Sequence, residues 1–135
     1  MFLTEDVIRS LIAEARLARE CAHAPYSHFR VGAALLARDG SITRGCNVEI
    51  SSYSVTSCAE RTALFSAIAG GLRDFDAIAI VADADATPPC GVCRQALADF
   101  NPSMTIVLAS RDGSYRAVSL AQLLPEPFLP MHLGL

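Results

Sequence analysis

The sequence contains no lysine and no tryptophan, and all 11 of its basic residues are arginine. The missing lysine excludes functions that depend on a lysine amine: phosphate binding by a P-loop lysine, kinase-type phosphoryl transfer and pyridoxal Schiff-base chemistry. We interpret the missing lysine as codon bias rather than as a functional feature. The formal net charge of −3 also gives no general attraction to nucleic acid, so we do not expect a nucleic-acid partner.

Long apolar runs are missing as well. No segment approaches the roughly 18 apolar residues that a membrane helix needs, so we expect no membrane contact. Residues 1–6 are acidic and contain neither the basic segment nor the apolar stretch of a signal peptide. We therefore expect a cytoplasmic protein, whose five cysteines are thiols or metal ligands rather than disulfides.

Apolar residues are present in excess. The 135 residues fit a single domain, residues 1–135, in which 52% are hydrophobic and only 19% are charged, where about 25% charged is typical. A domain of this size buries only about two-thirds of its surface on folding. We therefore expect apolar faces of this chain to contact other subunits.

Hydrophobic periodicity and turn residues predict nine elements. Helices are predicted from an N-cap at Thr4 to a stop at Pro25, from Ser57 to Ala69, from Pro89 to about Phe100, and from Ser119 to Leu124. Strands are predicted at Val31–Ala37, Ile42–Val48, Ala77–Ala82, Met104–Ala109 and Tyr115–Val118. This order predicts an α/β fold, a three-layer α/β/α sandwich with a mixed sheet.

Three cysteines lie at the starts of two predicted helices: Cys58 in one, and Cys90 and Cys93 in the other. The two cysteines of a Cys-x-x-Cys pair lie on one face of a helix, so they can give two thiolates to one metal ion. A third cysteine completes a set of three protein ligands with one open position, which is typical of catalytic zinc. Each helix start contributes about half a positive charge, so two starts offset the single negative charge of three thiolates on Zn²⁺. Arg61, beside the site, can donate hydrogen bonds to sulfur.

Glu60 has two interpretations. Ser57-x-x-Glu60 matches a capping box, in which the glutamate bonds back to the helix start. Cys58-Ala59-Glu60 followed by Pro-Cys-x-x-Cys is instead the three-cysteine signature of zinc nucleobase deaminases, in which the glutamate is an acid and base. The second interpretation explains more residues, and it predicts a raised pKa for a carboxyl buried beside an anionic zinc site.

Further motifs extend this pattern from about Ala24 to Phe128. They are Ala24-Pro25-Tyr26-Ser27-x-Phe29-x-Val31-Gly32-Ala33-Ala34, Gly45-Cys46-Asn47-Val48-Glu49, Cys58-Ala59-Glu60-Arg61-Thr62-Ala63, Pro89-Cys90-Gly91-Val92-Cys93-Arg94-Gln95 and Leu123-Leu124-Pro125-x-x-Phe128. With these motifs, in this order, the chain resembles a cytidine deaminase of the short, single-domain type.

The resemblance implies one zinc ion per chain, held by Cys58, Cys90 and Cys93. It implies that Glu60 shuttles protons while hydroxide on the zinc attacks C4 of the pyrimidine. The expected reaction is the hydrolysis of cytidine and 2′-deoxycytidine to uridine and 2′-deoxyuridine plus ammonia, a step of pyrimidine salvage.

The resemblance also implies a set of substrate contacts. Asn47 and Glu49 match residues that bond the ribose hydroxyls, Phe29 matches the aromatic that packs on the base, and the backbone of Ala59 matches a contact to the base. Tyr53 and Phe128 match residues that family members lend to a neighbouring subunit, which implies a homotetramer with shared active sites. For Arg94 and Gln95 we expect structural support only.

Three alternatives remain open. A related small-molecule deaminase, such as one acting on blasticidin S, is disfavoured by Glu49, because that ligand lacks an ordinary ribose diol. A thiol redox protein using Cys90-Gly91-Val92-Cys93 leaves Cys58-Ala59-Glu60 unexplained. A structural zinc domain needs a fourth ligand.

Several other residues carry no predicted chemistry. We expect Cys21 and Cys46 to be buried free thiols, and Asp83 and Asp85 to belong to a solvated loop. Pro88 stands where many relatives have serine, in the loop near the leaving amine.

Overall fold

Five strands form one mixed sheet, and helices cover both of its faces. The structure is a computed structural model that describes residues 3–135; residues 1 and 2, which begin the acidic N-terminal segment, lie outside the described part. The elements are α1 (Glu5–Arg19), β1 (Val31–Ala37), β2 (Ile42–Cys46), α2 (Ala59–Ala69), β3 (Phe75–Ala82), α3 (Gly91–Ala98), β4 (Thr105–Ala109), β5 (Tyr115–Ser119) and α4 (Leu120–Leu123). Two short 3-10 helices, Tyr53–Val55 and Pro130–Leu133, were not predicted from the sequence.

The strand order in the sheet is β2-β1-β3-β4-β5. Strand β1 is antiparallel to both neighbours, with Gly32 opposite Cys46 of β2 and Val81 of β3. Strands β3 and β4 are parallel, and β5 is antiparallel to β4. The sheet is therefore mixed, as predicted.

Both faces of the central strands are buried, because their side chains alternate between two apolar clusters. Helix α1 covers one face and packs Ile8, Leu11 and Ile12 against alternate residues of β1, β3 and β4. Helices α2, α3 and α4 cover the other face, where Leu64, Leu97 and Leu120 are fully buried. Strands buried on both sides require nearly continuous apolar sequence, as these strands have. Because helices cover both faces of the sheet, the prediction of a three-layer α/β/α sandwich is confirmed.

The ends of the helices differ in part from the predicted ends. Thr4 caps α1 as predicted, because its hydroxyl accepts a hydrogen bond from the N–H of Val7 (3.2 Å). Helix α1 ends at Arg19, six residues before Pro25, so Cys21 lies beyond the helix and is exposed rather than buried. Cys46, at the end of β2, is only partly buried.

Within residues 3–135, no helix combines the length and apolar character needed to cross a membrane.

Gly45 of β2 allows the sheet and α2 to pack with their backbones in contact. A Cβ at this position would lie 2.3 Å from the nitrogen of Ala63 and 2.4 Å from the carbonyl oxygen of Ala59. Any larger residue would therefore push α2 away from the sheet. This contact determines the position of the first turn of α2, which begins after Cys58.

Candidate active site

Three thiols meet where two helices begin. Cys58 is the N-cap residue of α2, Cys90 is the N-cap residue of α3, and Cys93 lies in the first turn of α3. The Sγ of Cys90 is 3.7 Å from that of Cys58 and 3.4 Å from that of Cys93. Zinc with tetrahedral ligands and Zn–S bonds of about 2.3 Å holds its sulfur ligands about 3.8 Å apart. The cluster therefore fits one zinc ion.

The cluster has three protein ligands and not four. Among the residues described, the group of metal-ligating side chains within 4.8 Å of one another consists of these three cysteines alone. The two other cysteines, Cys21 and Cys46, line a separate pocket beside Arg44. A three-ligand set leaves an open coordination position, which is typical of catalytic rather than structural zinc.

Positive charge surrounds the thiols. Neither Cys58 nor Cys90 makes a side-chain cap hydrogen bond, so the positive dipole ends of both helices lie beside the cluster without a side-chain cap. Arg61 donates a hydrogen bond from Nη2 to the Sγ of Cys58 (3.3 Å). Hydrogen bonds from Cys93 and Arg61 lower the pKa of Cys58 to about 5. The pKa of Cys93 is raised, because Cys93 shares its proton with Cys58 and is buried.

Glu60 lies at the same helix start with its carboxyl buried. Its exposed fraction is 4%, and this burial raises its pKa to about 7, helped by the negative charge of Cys58. The direction agrees with the expectation from the sequence. The capping-box interpretation is wrong: Cys58 and not Ser57 is the N-cap residue, and the Ser57 hydroxyl donates to the carbonyl of Cys58 (3.2 Å).

A cavity of about 260 Å³ opens beside Glu60 and the thiols. It brings together most of the residues for which the resemblance implied a role. Its lining includes Phe29, Asn47, Glu49, Cys58, Ala59, Glu60 and Cys90, and also Ser27, Val31, Thr56, Ser57, Ile80, Thr87 and Pro88, which we had not predicted as site residues. Of these additions, Ser27 and Val31 belong to a motif quoted above. The others lie outside the quoted motifs and reach the wall only through the fold.

Asn47 and Glu49 also hold neighbouring backbone. The Oδ1 of Asn47 accepts a hydrogen bond from the N–H of Val31 (2.9 Å), and its Nδ2 donates to the carbonyl of Phe29 (2.8 Å). Glu49 accepts hydrogen bonds from the hydroxyl and N–H of Ser27, which lower its pKa, and from the N–H of Tyr26. Both side chains therefore fix the segment that leads into β1.

Tyr53 and Phe128 do not line this cavity. Tyr53 is 72% exposed, and it lines an adjacent pocket where its ring packs edge-on against Tyr26 at 5.7 Å between centroids. Phe128 is 58% exposed, with its ring stacked on His132. Both side chains project outward from their own chain.

Arg94 and Gln95 have structural contacts, as expected. Arg94 donates to the carbonyl oxygens of Pro89 (2.8 Å) and Leu123 (2.9 Å). Gln95 donates to the carbonyl of Phe128 (2.5 Å). The bonds to Leu123 and Phe128 attach the C-terminal segment to α3.

The loop between β3 and Cys90 is held by two ion pairs. Arg30 donates to both carboxylate oxygens of Asp83, at 3.1 and 3.2 Å. Arg111 contacts Asp85 in the same way, at 3.2 and 3.3 Å, and its backbone N–H adds a third bond at 2.8 Å. The two aspartates lie in a loop, as expected, with Asp85 exposed and Asp83 partly buried. The structure adds arginine partners that are distant in the sequence.

The fold is an α/β domain in which the starts of two helices carry three thiols and a buried acid. A metal site and a neighbouring acid are the groups that a hydrolytic metalloenzyme uses. Residues 6–109 match the family described as the cytidine and deoxycytidylate deaminase zinc-binding region. The chain therefore belongs to the cytidine deaminase family, whose members are hydrolytic deaminases.

Individual relatives are similar over most of the chain. The chain is 52% identical over 123 residues to the cytidine deaminase of Sporosarcina psychrophila, covering 90% of each protein. It is 52% identical over 120 residues to that of Halalkalibacterium halodurans, covering 87% of this chain and 91% of the relative. The crystal structure of cytidine deaminase from Burkholderia pseudomallei superposes with a TM-score of 0.85 at 46% identity, covering 93% of this chain and 100% of that chain. The fold prediction and the family resemblance are both confirmed.

Proposed function

We propose that this protein hydrolyses cytidine and 2′-deoxycytidine to uridine and 2′-deoxyuridine, with release of ammonia, as a step of pyrimidine salvage. The observation that carries this proposal is the position of Glu60. Its carboxyl is buried in the wall of the cavity that also contains Cys58 and Cys90. An acid and base beside a metal site with an open position is the arrangement that hydrolysis of an aromatic amine requires.

The metal is held by Cys58, Cys90 and Cys93 in this proposal. When bound, zinc supplies a Lewis acid that makes water a stronger nucleophile at neutral pH. Arg61 supports the ligands, because its hydrogen bond to the Sγ of Cys58 draws negative charge from the sulfur. The two uncapped helix starts act in the same direction.

Glu60 moves the protons. Burial raises the pKa of Glu60 above that of an ordinary glutamate, and a buried carboxyl beside the open metal position can accept a proton and return it within one turnover. We propose that Glu60 accepts one proton from the attacking water and donates it to N3 of the pyrimidine. It then accepts the second proton, from the hydroxyl newly attached to C4, and donates it to the amine, so that the C4–N bond breaks as the C4 carbonyl forms. One water is consumed and one ammonia is released.

The remaining cavity residues bind the nucleoside. Phe29 packs on the base and the backbone of Ala59 bonds to it, while Asn47 and Glu49 bond the ribose hydroxyls. Asn47 Nδ2 carries a second hydrogen beyond the one that it donates to Phe29. A cytidine deaminase of this kind requires the ribose hydroxyls of its substrate for binding. A deaminase of blasticidin S would not, because that ligand lacks an ordinary ribose diol.

The test compares the wild-type protein with Glu60→Gln, which keeps the side-chain volume and removes the acid. We expect about one zinc per chain in both proteins, and a loss of at least about 100-fold in turnover of cytidine, followed by ultraviolet absorbance. Glu126→Gln, a change in the exposed segment after α4, is the matched control and should retain turnover. Undiminished turnover by Glu60→Gln, or a wild-type protein without zinc, contradicts the mechanism.

The same samples test the redox alternative. A thiol redox protein using Cys90 and Cys93 would reduce a disulfide substrate, and Glu60→Gln would not change that activity. A wild-type protein that reduces disulfides and does not deaminate cytidine would replace our proposal with that one.

We also propose that the protein is a homotetramer in which Tyr53 and Phe128 contribute to the sites of neighbouring subunits. The exposure of both aromatic side chains supports this, since large exposed apolar groups favour contact surfaces. A monomeric mass in solution would contradict it. We further propose that residues 1–135 form one domain that acts in the cytoplasm, a reducing compartment suited to its thiol cluster.

A further inference from the structure

The hydroxyl of Ser27 is the centre of a hydrogen-bonded turn at the mouth of the cavity. It donates to Oε2 of Glu49 (2.5 Å) and accepts from the backbone N–H of Phe29 (3.0 Å). The backbone N–H groups of Tyr26 and Ser27 both donate to the other carboxylate oxygen, Oε1, at 3.0 Å. One serine therefore contacts both Glu49 and the residue that carries the aromatic wall of the cavity.

The hydrogen bonds already made by Glu49 and Ser27 determine which of their donor and acceptor positions remain free for a ligand. A carboxylate has about four acceptor positions, two on each oxygen. Oε1 of Glu49 uses both of its positions, and Oε2 uses one for Ser27. The serine hydroxyl has a single hydrogen, which Glu49 already accepts. A ligand hydroxyl at this corner of the cavity can donate to the free position on Oε2 of Glu49, which as a charged acceptor is stronger than the one acceptor position that Ser27 retains beside the N–H of Phe29.

The backbone holds the turn in the conformation that these bonds need. His28 has a left-handed conformation with φ of 57°, which is uncommon for a residue other than glycine. Its N–H donates to the carbonyl of Ala24 (3.0 Å), and the N–H of Glu49 donates to the carbonyl of His23 (2.8 Å). The turn and the strand extension that carries Glu49 are thus attached to each other by backbone as well as by side chains.

From this geometry we propose that Ser27 is a positioning residue for substrate binding: its hydroxyl orients Oε2 of Glu49 so that the free acceptor position faces a hydroxyl of the substrate's ribose. The N–H of Phe29 fixes the direction in which the serine donates. The inference rests on the proposed function, because it uses the role of Glu49 given there. Ser27 itself contacts neither the reacting carbon nor the metal ligands in this account.

The first test is Ser27→Ala in the zinc-loaded protein. This change removes the hydroxyl and keeps both backbone donors to Oε1, so Glu49 stays in place but its Oε2 is no longer held. We expect KM for cytidine to rise about tenfold, because the substrate loses part of the free energy of one charge-assisted hydrogen bond. We expect kcat to stay within about twofold of the wild type, because the loss affects binding and not the chemical step. Ser27→Thr keeps a hydroxyl and should restore KM to within about threefold. Ser10→Ala, an exposed change on α1, is the matched control.

The second measurement separates orientation of Glu49 from general damage to the turn. The competitor 2′,3′-dideoxycytidine has the same base but lacks both hydroxyls of the ribose diol. Its inhibition constant should change by less than about twofold in Ser27→Ala, since it has neither of the diol hydroxyls that would donate to Glu49. Equal weakening of both nucleosides, or an unchanged KM for cytidine, overturns the inference and leaves the proposed function intact. A wild-type protein that does not deaminate cytidine overturns the proposed function, and this inference with it.

Discussion

Gly45 is the position at which one added methyl group disturbs the site most directly. A Cβ there would lie 2.3 Å from the nitrogen of Ala63, a backbone atom of α2, where ordinary contact needs 3.4 Å or more. Backbone cannot rotate away as a side chain does, so α2 would have to retreat from the sheet by about 1 Å. Because α2 begins after Cys58 and carries Glu60 in its first turn, the retreat would displace a metal ligand and the acid together.

We predict that Gly45→Ala reduces both stability and turnover. Overpacking of this kind costs about 1–3 kcal/mol or more, which lowers the unfolding midpoint by about 4 °C per kcal/mol in a domain of this size. A misplacement of about 1 Å in a catalytic group costs on the order of 100-fold in rate. The measurements are thermal unfolding, zinc content and turnover of cytidine per zinc-loaded chain.

Gly70→Ala is the matched control, because it makes the same chemical change at the other end of α2. Gly70 has an ordinary φ of −81°, and an added Cβ would lie 3.4 Å from its nearest neighbour. We expect its stability to stay within about 0.5 kcal/mol of the wild type and its turnover to be unchanged. A Gly45→Ala protein as stable and as active as Gly70→Ala would refute the argument that close backbone packing positions α2.

Three further changes test other contacts of the site. Cys93→Ser should abolish stoichiometric zinc binding, whereas Cys21→Ser, at an exposed thiol outside the cluster, should retain one zinc per chain by metal analysis. Arg61→Gln removes the hydrogen bond to Cys58 and should weaken zinc affinity about 10- to 100-fold in a chelator competition, so equal affinities would contradict the role of Arg61. Asp83→Asn removes the charge that pairs with Arg30, whose hydrogen bonds lower the pKa of Asp83. A lowered pKa stabilises the folded state above the ordinary aspartate value of about 4, so the stability difference from the wild type should be complete at pH 7 and shrink as the pH falls below about 4. A difference measured by denaturant unfolding that is independent of pH would contradict the ion pair.

The sequence predicts the elements better than it predicts their arrangement. The bounds of β1 match the prediction, Val31–Ala37, because a continuous apolar run ends at the Asp39-Gly40 turn. The order of the strands was not predicted, because pairing of β1 with β3 joins residues about fifty positions apart, such as Val31 and Ala82. No local pattern contains that information.

The same distinction applies to the candidate site. The thiol cluster and the fold of the family could be predicted, since their motifs are short and continuous. The bond from Ser27 to Glu49 spans 22 positions, and the pair of Arg30 and Asp83 spans 53. Such pairs form only when the fold brings them together, so no local pattern indicates the pairing.

The caps of the helices explain why the local pattern at Glu60 was misleading. The two helices without metal ligands have side-chain caps, from Thr4 on α1 and from Ser119 on α4. The two helices that carry the thiols have none, because a cysteine occupies each N-cap position. A side-chain cap contributes about 1 kcal/mol, so the site forgoes stability at two helix starts. In return, uncapped N–H groups remain available to offset the charge of the thiolates, and Glu60, which is not used as a cap, is left facing the cavity. The sequence pattern of a capping box is present, and the requirement for a charged metal site overrides it.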